Sequence, residues 1–176
     1  MKLQVLLVLL ACATYIAWAG NNQCAQVASS RAGLKAAALW AAQSGKYIHY
    51  TQGSSRWSGI SKHVCPHQGV PAFTDCSAFV TWLYWSAFGK GTDHLNGQKW
   101  SAGYTGTQAS HGVAVSLAHA QAGDVVLYGH PTISHAAMYV GNNQVVEFGE
   151  NGPARLRGIH YRSDLNQIRS YPSFFH

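Results

Sequence analysis

A cysteine at the start of a strongly apolar segment is the first candidate for chemistry in this 176-residue chain. Cys76 follows Asp75 and opens an apolar run that extends to Gly89. The spacing of Phe79, Val80 and Leu83 predicts a helix with one apolar face, capped by Asp75 and ended by Gly89. Unpaired N–H groups at the first turn of such a helix favour a thiolate over a thiol. Cys76 is therefore a candidate nucleophile, with an inert structural cysteine as the alternative, and a nucleophile requires a base.

His135 is the best placed of the ten histidines to be that base. It opens a run of small and apolar residues that predicts a strand, on which His135, Ala137 and Tyr139 share one face. A strand would hold the imidazole on a rigid element. The alternative is a half-buried strand histidine bonded to a backbone carbonyl.

Glu147 completes the candidate set because it lies in an apolar context on the next predicted strand, where an unpaired carboxylate is costly. With a three-residue turn, Ala137 faces Glu147, which then shares a face with His135. A two-residue loop at Asn142 and Asn143 would turn Glu147 to the opposite face. We therefore expect an odd loop. If Glu147 is turned away, Glu150 or a backbone carbonyl would take its place.

The elements that must position these residues follow an α+β order. We predict two helices, a Gly- and Ser-rich region between them with one short strand, and then a series of strands; we find no periodicity in residues 90–112. The expected architecture is N-terminal helices packed on a central antiparallel β-sheet. The predicted helices cover residues 24–44 and 76–89, and the predicted strands cover residues 125–128, 133–140, 144–148 and 168–171.

The first 19 residues have the pattern of a secretory signal. A basic start at Lys2 precedes an apolar run to Ile16, and Ala17-Trp18-Ala19 supplies the small residues of a cleavage site. The run is shorter than the roughly 20 residues that span a bilayer, so we expect cleavage and no stable membrane insertion. Residues 20–176 would then form a single, secreted, extracellular domain, which we expect to be a monomer.

Composition narrows the classes of partner. Charged residues make up only 10% of the chain, and its net charge is +6, which favours anionic partners. The basic residues are scattered, without a basic run or a stacking motif, so we expect no binding to nucleic acid.

Four segments together resemble the NlpC-type family of cell-wall cysteine peptidases, which have a papain-like fold. The resemblance covers residues 45–172 and implies that Cys76 is the nucleophile, His135 the base and Glu147 the third, polar residue, a position often held by His in the family. The segments that carry it are Asp75–Val80, Gln121–Tyr128, Ile133–Asn142 and Val145–Glu147.

The same resemblance implies roles for three residues around the nucleophile. Tyr50 is similar to a family tyrosine whose hydroxyl points towards the oxyanion site; the alternative is an ordinary packed tyrosine. Asp75 and Ser77 would bind the polar backbone or the free amine of a stem peptide, although helix capping explains Asp75 equally well.

The remaining cysteines are then accounted for. Signal cleavage removes Cys12, and with Cys76 as the nucleophile, Cys24 and Cys65 are left to form a disulfide. The alternative is a zinc site at His63, Cys65 and His67, but no second ligand cluster completes a tetrahedral set. We expect neither a metal nor an organic cofactor.

The resemblance implies a secreted cysteine peptidase that hydrolyses amide bonds in the stem peptides of bacterial peptidoglycan, of the D,L-endopeptidase or amidase type. Either an antibacterial role or wall remodelling would suit such an enzyme. Two alternatives remain: a non-catalytic cationic protein that binds cell walls or glycans, and a papain-like acyltransferase that acts on lipids.

Overall fold

The computed structural model describes residues 24–62, 64–89, 93–97 and 103–175, so the predicted signal at residues 1–19 lies outside the described residues. The fold contains four α-helices and eight β-strands within these ranges. The helices are α1 (Arg31–Gln43), α2 (Arg56–Ser61), α3 (Cys76–Phe88) and α4 (Thr105–Ser110). The strands are β1 (His49–Tyr50), β2 (Phe73–Thr74), β3 (Val113–Val115), β4 (Val125–Tyr128), β5 (His135–Gly141), β6 (Gln144–Glu147), β7 (Arg155–Gly158) and β8 (Leu165–Ser170).

A six-stranded antiparallel sheet is the centre of the fold. Its strand order is β3-β8-β4-β5-β6-β7, and β1 pairs with β2 in a separate parallel ribbon. Helices α1 and α3 pack on one face of the sheet, where they contact β5. A smaller apolar cluster on the other face includes Val126, Ala137 and Ile159. The predicted α+β architecture is confirmed.

Helix α3 has the predicted ends but not the predicted single apolar face. Asp75 caps it by accepting a hydrogen bond from the Ala78 amide at 2.7 Å, and Gly89 ends it with a φ of +73°. Residues 76–87 are all buried, because α1, α2 and β5 pack around the helix. A helix that is apolar on every side is stable only in such an interior position.

Helix α1 begins seven residues later than predicted. Ser30 caps it, and residues 24–30 form turns that fold back against its first turn. An ideal Cβ at Gly33 would stand only 1.9 Å from the Ala28 carbonyl oxygen, so this close return requires glycine.

The β5–β6 hairpin has the predicted pairing of Ala137 with Glu147 but not the predicted loop length. Its loop has two residues, Asn142 and Asn143, both with positive φ, and not the odd number that we expected. A β-bulge between Tyr139 and Gly141 adds one residue to β5, which restores the parity and places Ala137 opposite Glu147. Glu147 therefore shares a face with His135.

A disulfide joins Cys24, before α1, to Cys65, after α2, with a Cα–Cα distance of 5.5 Å. Because it closes 41 residues of chain, it contributes about 3–4 kcal/mol on the chain-entropy model. This bond occupies the Cys65 thiol and so removes the thiolate that a zinc site there would need, and His63 lies outside the described residues.

Among the residues that the structure describes, no helix is long and apolar enough to cross a membrane.

Candidate active site

The first turn of α3 places the Cys76 thiol in the interior, against strand β5. Cys76 is buried, and it is the free cysteine of the described ranges. Its sulfur accepts hydrogen bonds from the backbone N–H groups of Ser77 and Ala136 and from the Tyr50 hydroxyl. Because Ala136 follows His135 on β5, the thiol lies beside the strand that carries the candidate base.

Burial opposes ionisation of this thiol. Desolvation and the negative charge of Asp75 raise the pKa of Cys76 to about 11, although the three hydrogen bonds lower it. Burial therefore works against the thiolate that we expect the helix start to stabilise. The carboxylate that caps the helix offsets the favourable field of its N–H groups, and the desolvation cost exceeds their effect.

His135 and Glu147 form a buried pair on neighbouring strands. His135 Nε2 lies 3.6 Å from Glu147 Oε2, and both side chains are 7% exposed. This distance is longer than a hydrogen bond, and the contact is ionic only when the imidazole is protonated. Because Nε2 faces the carboxylate, Nδ1 is the ring nitrogen left to accept a proton.

The surroundings of the pair shift the pKa values of His135 and Glu147 so that the neutral form of each side chain is favoured. Burial and then the positive charge of Arg162 lower the pKa of His135 to about 4. Burial also raises the pKa of Glu147. The rings of Tyr128 and Tyr161 contribute to this environment, with centroids 5.9 and 6.4 Å from the His135 ring. Near pH 7 the imidazole and the thiol are both neutral.

The ribbon of β1 and β2 brings Tyr50 to the nucleophile. Tyr50 pairs with Thr74, two residues before Cys76, and its hydroxyl donates a hydrogen bond to the Cys76 sulfur. Burial, together with the charge of a Cys76 thiolate, raises the pKa of Tyr50 to about 12. The hydroxyl therefore remains a hydrogen-bond donor at neutral pH.

A cavity of about 230 Å³ opens beside Cys76, and both predicted binding residues, Asp75 and Ser77, line it. Asp75 Oδ1 accepts from the Ala78 amide and from Ser77 Oγ, at 2.7 and 2.9 Å. Asp75 Oδ2 accepts from Arg56 Nη1 at 2.9 Å. The capping role of Asp75 is thus realised, and its charge is balanced by Arg56.

The structure adds residues that the sequence did not single out. Arg56 belongs to the short helix α2, in a region that we read as a loop, and Thr105 reaches the cavity from α4, in the segment without periodicity. Arg157 lies on β7, which we did not predict, with its Nε 3.7 Å from Glu147 Oε1. No short-range sequence signal marks these positions, because each meets the site through tertiary packing alone.

The described part of the chain contains no group of three His, Cys, Asp or Glu side chains that could hold a metal ion.

Comparisons with known proteins give the site a family context. The profile of the NlpC/P60 family matches residues 43–162. The peptidoglycan endopeptidase RipA of Mycolicibacterium smegmatis is 28% identical over 118 residues, which cover 64% of this chain and 22% of RipA. The chain thus spans about a fifth of the length of that relative.

Solved structures share the fold at low sequence identity. The NlpC/p60 domain of the peptidoglycan hydrolase SagA matches with a TM-score of 0.56 and 22% identity, over 80% of this chain and 98% of that domain. NlpC2 from Trichomonas vaginalis matches with a TM-score of 0.51 and 19% identity, over 78% of this chain and 46% of that one. At these identities the likeness concerns the fold.

The raised pKa of Cys76 predicts slow alkylation at neutral pH. In a protein that begins at Gly20 and so lacks Cys12, the iodoacetamide reaction should accelerate about tenfold per pH unit between pH 6 and 10. At pH 7 its rate should be about a hundredfold below that of a cysteine with an ordinary pKa. The His135→Ala variant should follow the same profile. A wild-type rate that reaches a plateau below pH 7 would instead indicate a thiolate–imidazolium pair.

Gly149 covers the His135–Glu147 pair from the solvent side. An added Cβ there would stand 3.1 Å from Glu147 Oε2 and 3.3 Å from His135 Cε1. We therefore predict that Gly149→Ala moves the Cε1–H resonance of His135 in NMR spectra, while stability changes by about 0.5 kcal/mol or less at this exposed position. Gly158→Ala is the matched control, since its Cβ would meet nothing within 4 Å. Equal resonance positions in the two variants would refute the close packing over the pair.

Proposed function

The chain belongs to the NlpC/P60 family, and from that premise we propose that it is a cysteine peptidase that hydrolyses amide bonds in peptidoglycan stem peptides. The observation that carries the proposal is that Cys76 lines a cavity and that its sulfur meets Tyr50 and the backbone of Ala136, the residue that follows His135 of the His135–Glu147 pair on β5. A nucleophile and a base that is itself faced by a third polar group form the arrangement used in covalent acyl transfer.

The first chemical step starts from the neutral pair. As Cys76 Sγ attacks the scissile carbonyl carbon, its proton passes to His135 Nδ1, the S–C bond forms, and the carbonyl electrons move to the oxygen. Glu147 then faces an imidazolium at 3.6 Å and stabilises it. We propose that the Cys76 backbone N–H and the Tyr50 hydroxyl donate to the oxyanion.

The tetrahedral intermediate then collapses to an acyl-enzyme. The carbonyl re-forms, the C–N bond breaks, and His135 gives its proton to the leaving amine. A water molecule attacks the resulting thioester while His135 accepts one of its protons. The second tetrahedral intermediate then expels the Cys76 thiolate and releases the carboxylic acid. The thiolate takes the proton back from His135, which restores the neutral pair.

The polar lining of the cavity supports a peptide substrate with a free amine. Asp75 carries a buried carboxylate, and Ser77 carries a hydroxyl beside the nucleophile. Both can receive N–H groups of a stem peptide, although the Arg56 contact must then be shared. RipA and SagA are named for action on peptidoglycan, which supports the same substrate class here.

We also propose secretion of residues 20–176 after removal of residues 1–19, and an antibacterial role outside the producing cell. The signal-like N-terminus, the Cys24–Cys65 disulfide and the net charge support this proposal. Disulfides persist in oxidising compartments, and a basic protein is attracted to anionic bacterial walls. Loss of Lys2 with the signal takes the net charge from +6 to +5.

Digestion of defined muropeptides tests the enzymatic proposal. Mass spectrometry should find one amide bond cut, with the hydroxyl of water on the acyl fragment and a hydrogen on the amine fragment. Cys76→Ala and His135→Ala should each lower the rate at least about a thousandfold. His119→Ala, which removes an exposed histidine, should cleave as the wild type does. Thermal unfolding of each variant provides the check on folding.

Other outcomes of that experiment point to the alternatives. Binding to peptidoglycan without products, with the same behaviour in wild type and Cys76→Ala, would indicate a non-catalytic wall-binding protein. Consumption of phospholipid in place of muropeptide would indicate a papain-like acyltransferase.

Expression of residues 1–176 in cells with a secretory pathway tests the export proposal. We expect the protein in the medium to begin at about Gly20 and to carry one free thiol. Added to bacteria, it should lower their viability, while Cys76→Ala should not. Retention in the cell with residues 1–19 intact would refute export, and a secreted, active protein without effect on viability would favour wall remodelling.

A further inference from the structure

Each oxygen of the buried Glu147 carboxylate faces a different partner. Its Oε2 faces His135 Nε2 at 3.6 Å, and its Oε1 faces Arg157 Nε at 3.7 Å. Arg157 itself is half exposed, with 45% of its side-chain surface accessible. An exposed guanidinium therefore reaches inward to the carboxylate that faces the proposed base.

The register of β6 and β7 puts two arginines on the face that carries Glu147. Arg155 lies directly opposite Glu147, and Arg157 lies opposite Val145, two residues away along β6. In an antiparallel pair, both the opposite and the diagonal neighbour can reach a side chain. The Arg155 guanidinium pairs instead with the exposed Glu150, which leaves Arg157 as the contact of Glu147.

We propose that Arg157 is a positioning residue for the proposed reaction: its guanidinium keeps Glu147 ionised, and the ionised carboxylate keeps the ring proton of His135 on Nε2. This inference rests on the proposed function, because the ring proton matters only if Nδ1 must accept the proton of Cys76.

The charge of Glu147 determines which tautomer of His135 is favoured. An ionised carboxylate 3.6 Å from Nε2 attracts an N–H dipole there, so it favours His135 with its proton on Nε2 and a lone pair on Nδ1. A protonated Glu147 has lost that charge and can turn its O–H towards Nε2, so it no longer disfavours the opposite tautomer, with the proton on Nδ1. In that tautomer Nδ1 cannot take the proton of Cys76, and the first step is blocked.

Several charged or titratable groups act on Glu147 from the elements around it: His135 from β5, Tyr128 from β4, Arg155 and Arg157 from β7, and Glu150 and Tyr161 from the neighbouring loops. Burial raises the pKa of Glu147, and Arg157 opposes this more strongly than Arg155 does, while Glu150 raises it further. Removal of Arg157 should therefore raise the pKa of Glu147. When the pH is lowered, the variant should then lose activity at a higher pH than the wild type does.

The pH dependence of kcat/KM in four proteins tests this role. The acid limb of Arg157→Gln should move upward by about one pH unit relative to the wild type, with nearly unchanged activity on the alkaline side. In Arg157→Lys, which keeps the positive charge, the acid limb should lie close to its wild-type position. Arg155→Gln is the matched control on the same strand, and its acid limb should move much less. An unmoved limb in Arg157→Gln, or an equal shift in Arg155→Gln, would overturn the inference.

An NMR titration of the Glu147 carboxyl carbon separates this inference from the proposed function. It is performed in Cys76→Ala protein and needs no turnover. The midpoint should be higher with Arg157→Gln than with the parent residue, and an unchanged midpoint would overturn the inference. A wild-type protein that cuts no muropeptide would refute the proposed function, while the titration would still decide whether Arg157 keeps Glu147 ionised.

Discussion

The burial of the first turn of α3 is the constraint on which the site depends. The helix is apolar on every side, so its start is covered by protein and its unpaired N–H groups cannot rely on water. Asp75 satisfies the Ala78 amide, but a buried carboxylate is costly without a counterion, and Arg56 supplies one. Arg56 is the first residue of α2, which lies in the chain between Tyr50 and the disulfide cysteine Cys65 and packs against α3. The position of Cys76 thus depends on its cap Asp75, on the counterion Arg56 and on the packing of α2 against α3.

The same burial determines the charge state of the resting site. It raises the pKa of Cys76 and of Glu147 and lowers that of His135, because each charged form loses its hydration. The proposed reaction therefore begins with a neutral thiol and a neutral imidazole, and charge develops only as the sulfur attacks. In a water-poor interior, fixed groups such as the Tyr50 hydroxyl and the Glu147 carboxylate then act more strongly than they would in solvent. The half-exposed Arg157 contacts Glu147, a member of this buried pair, from the surface of the protein.

Much of the secondary structure was predictable because its causes are local. The ends of α3 follow from a capping Asp75 and a Gly89 that adopts positive φ, and β4 follows from a short β-branched run bounded by turn residues. The pairing of Ala137 with Glu147 was predictable from parity, but the bulge that produces it was not, since it depends on how β5 meets both of its neighbours. Strands β3 and β7, at the two edges of the sheet, escaped prediction because both are short and mostly exposed, so burial does not dictate their residue types.

The sequence by itself determined the helix start at Cys76, the candidate base His135, the acidic residue near it and the likeness to a family, because residue type and spacing carry this information locally. Tertiary structure alone decided that Arg56 meets Asp75 across 19 residues of chain and that Arg157 reaches Glu147 from a neighbouring strand. It also decided that the thiol is buried, which raises its pKa and opposes the effect of the helix start. The physical reason is that a pKa depends on desolvation and on charges brought close by folding, and neither is encoded in the spacing of residues along one segment.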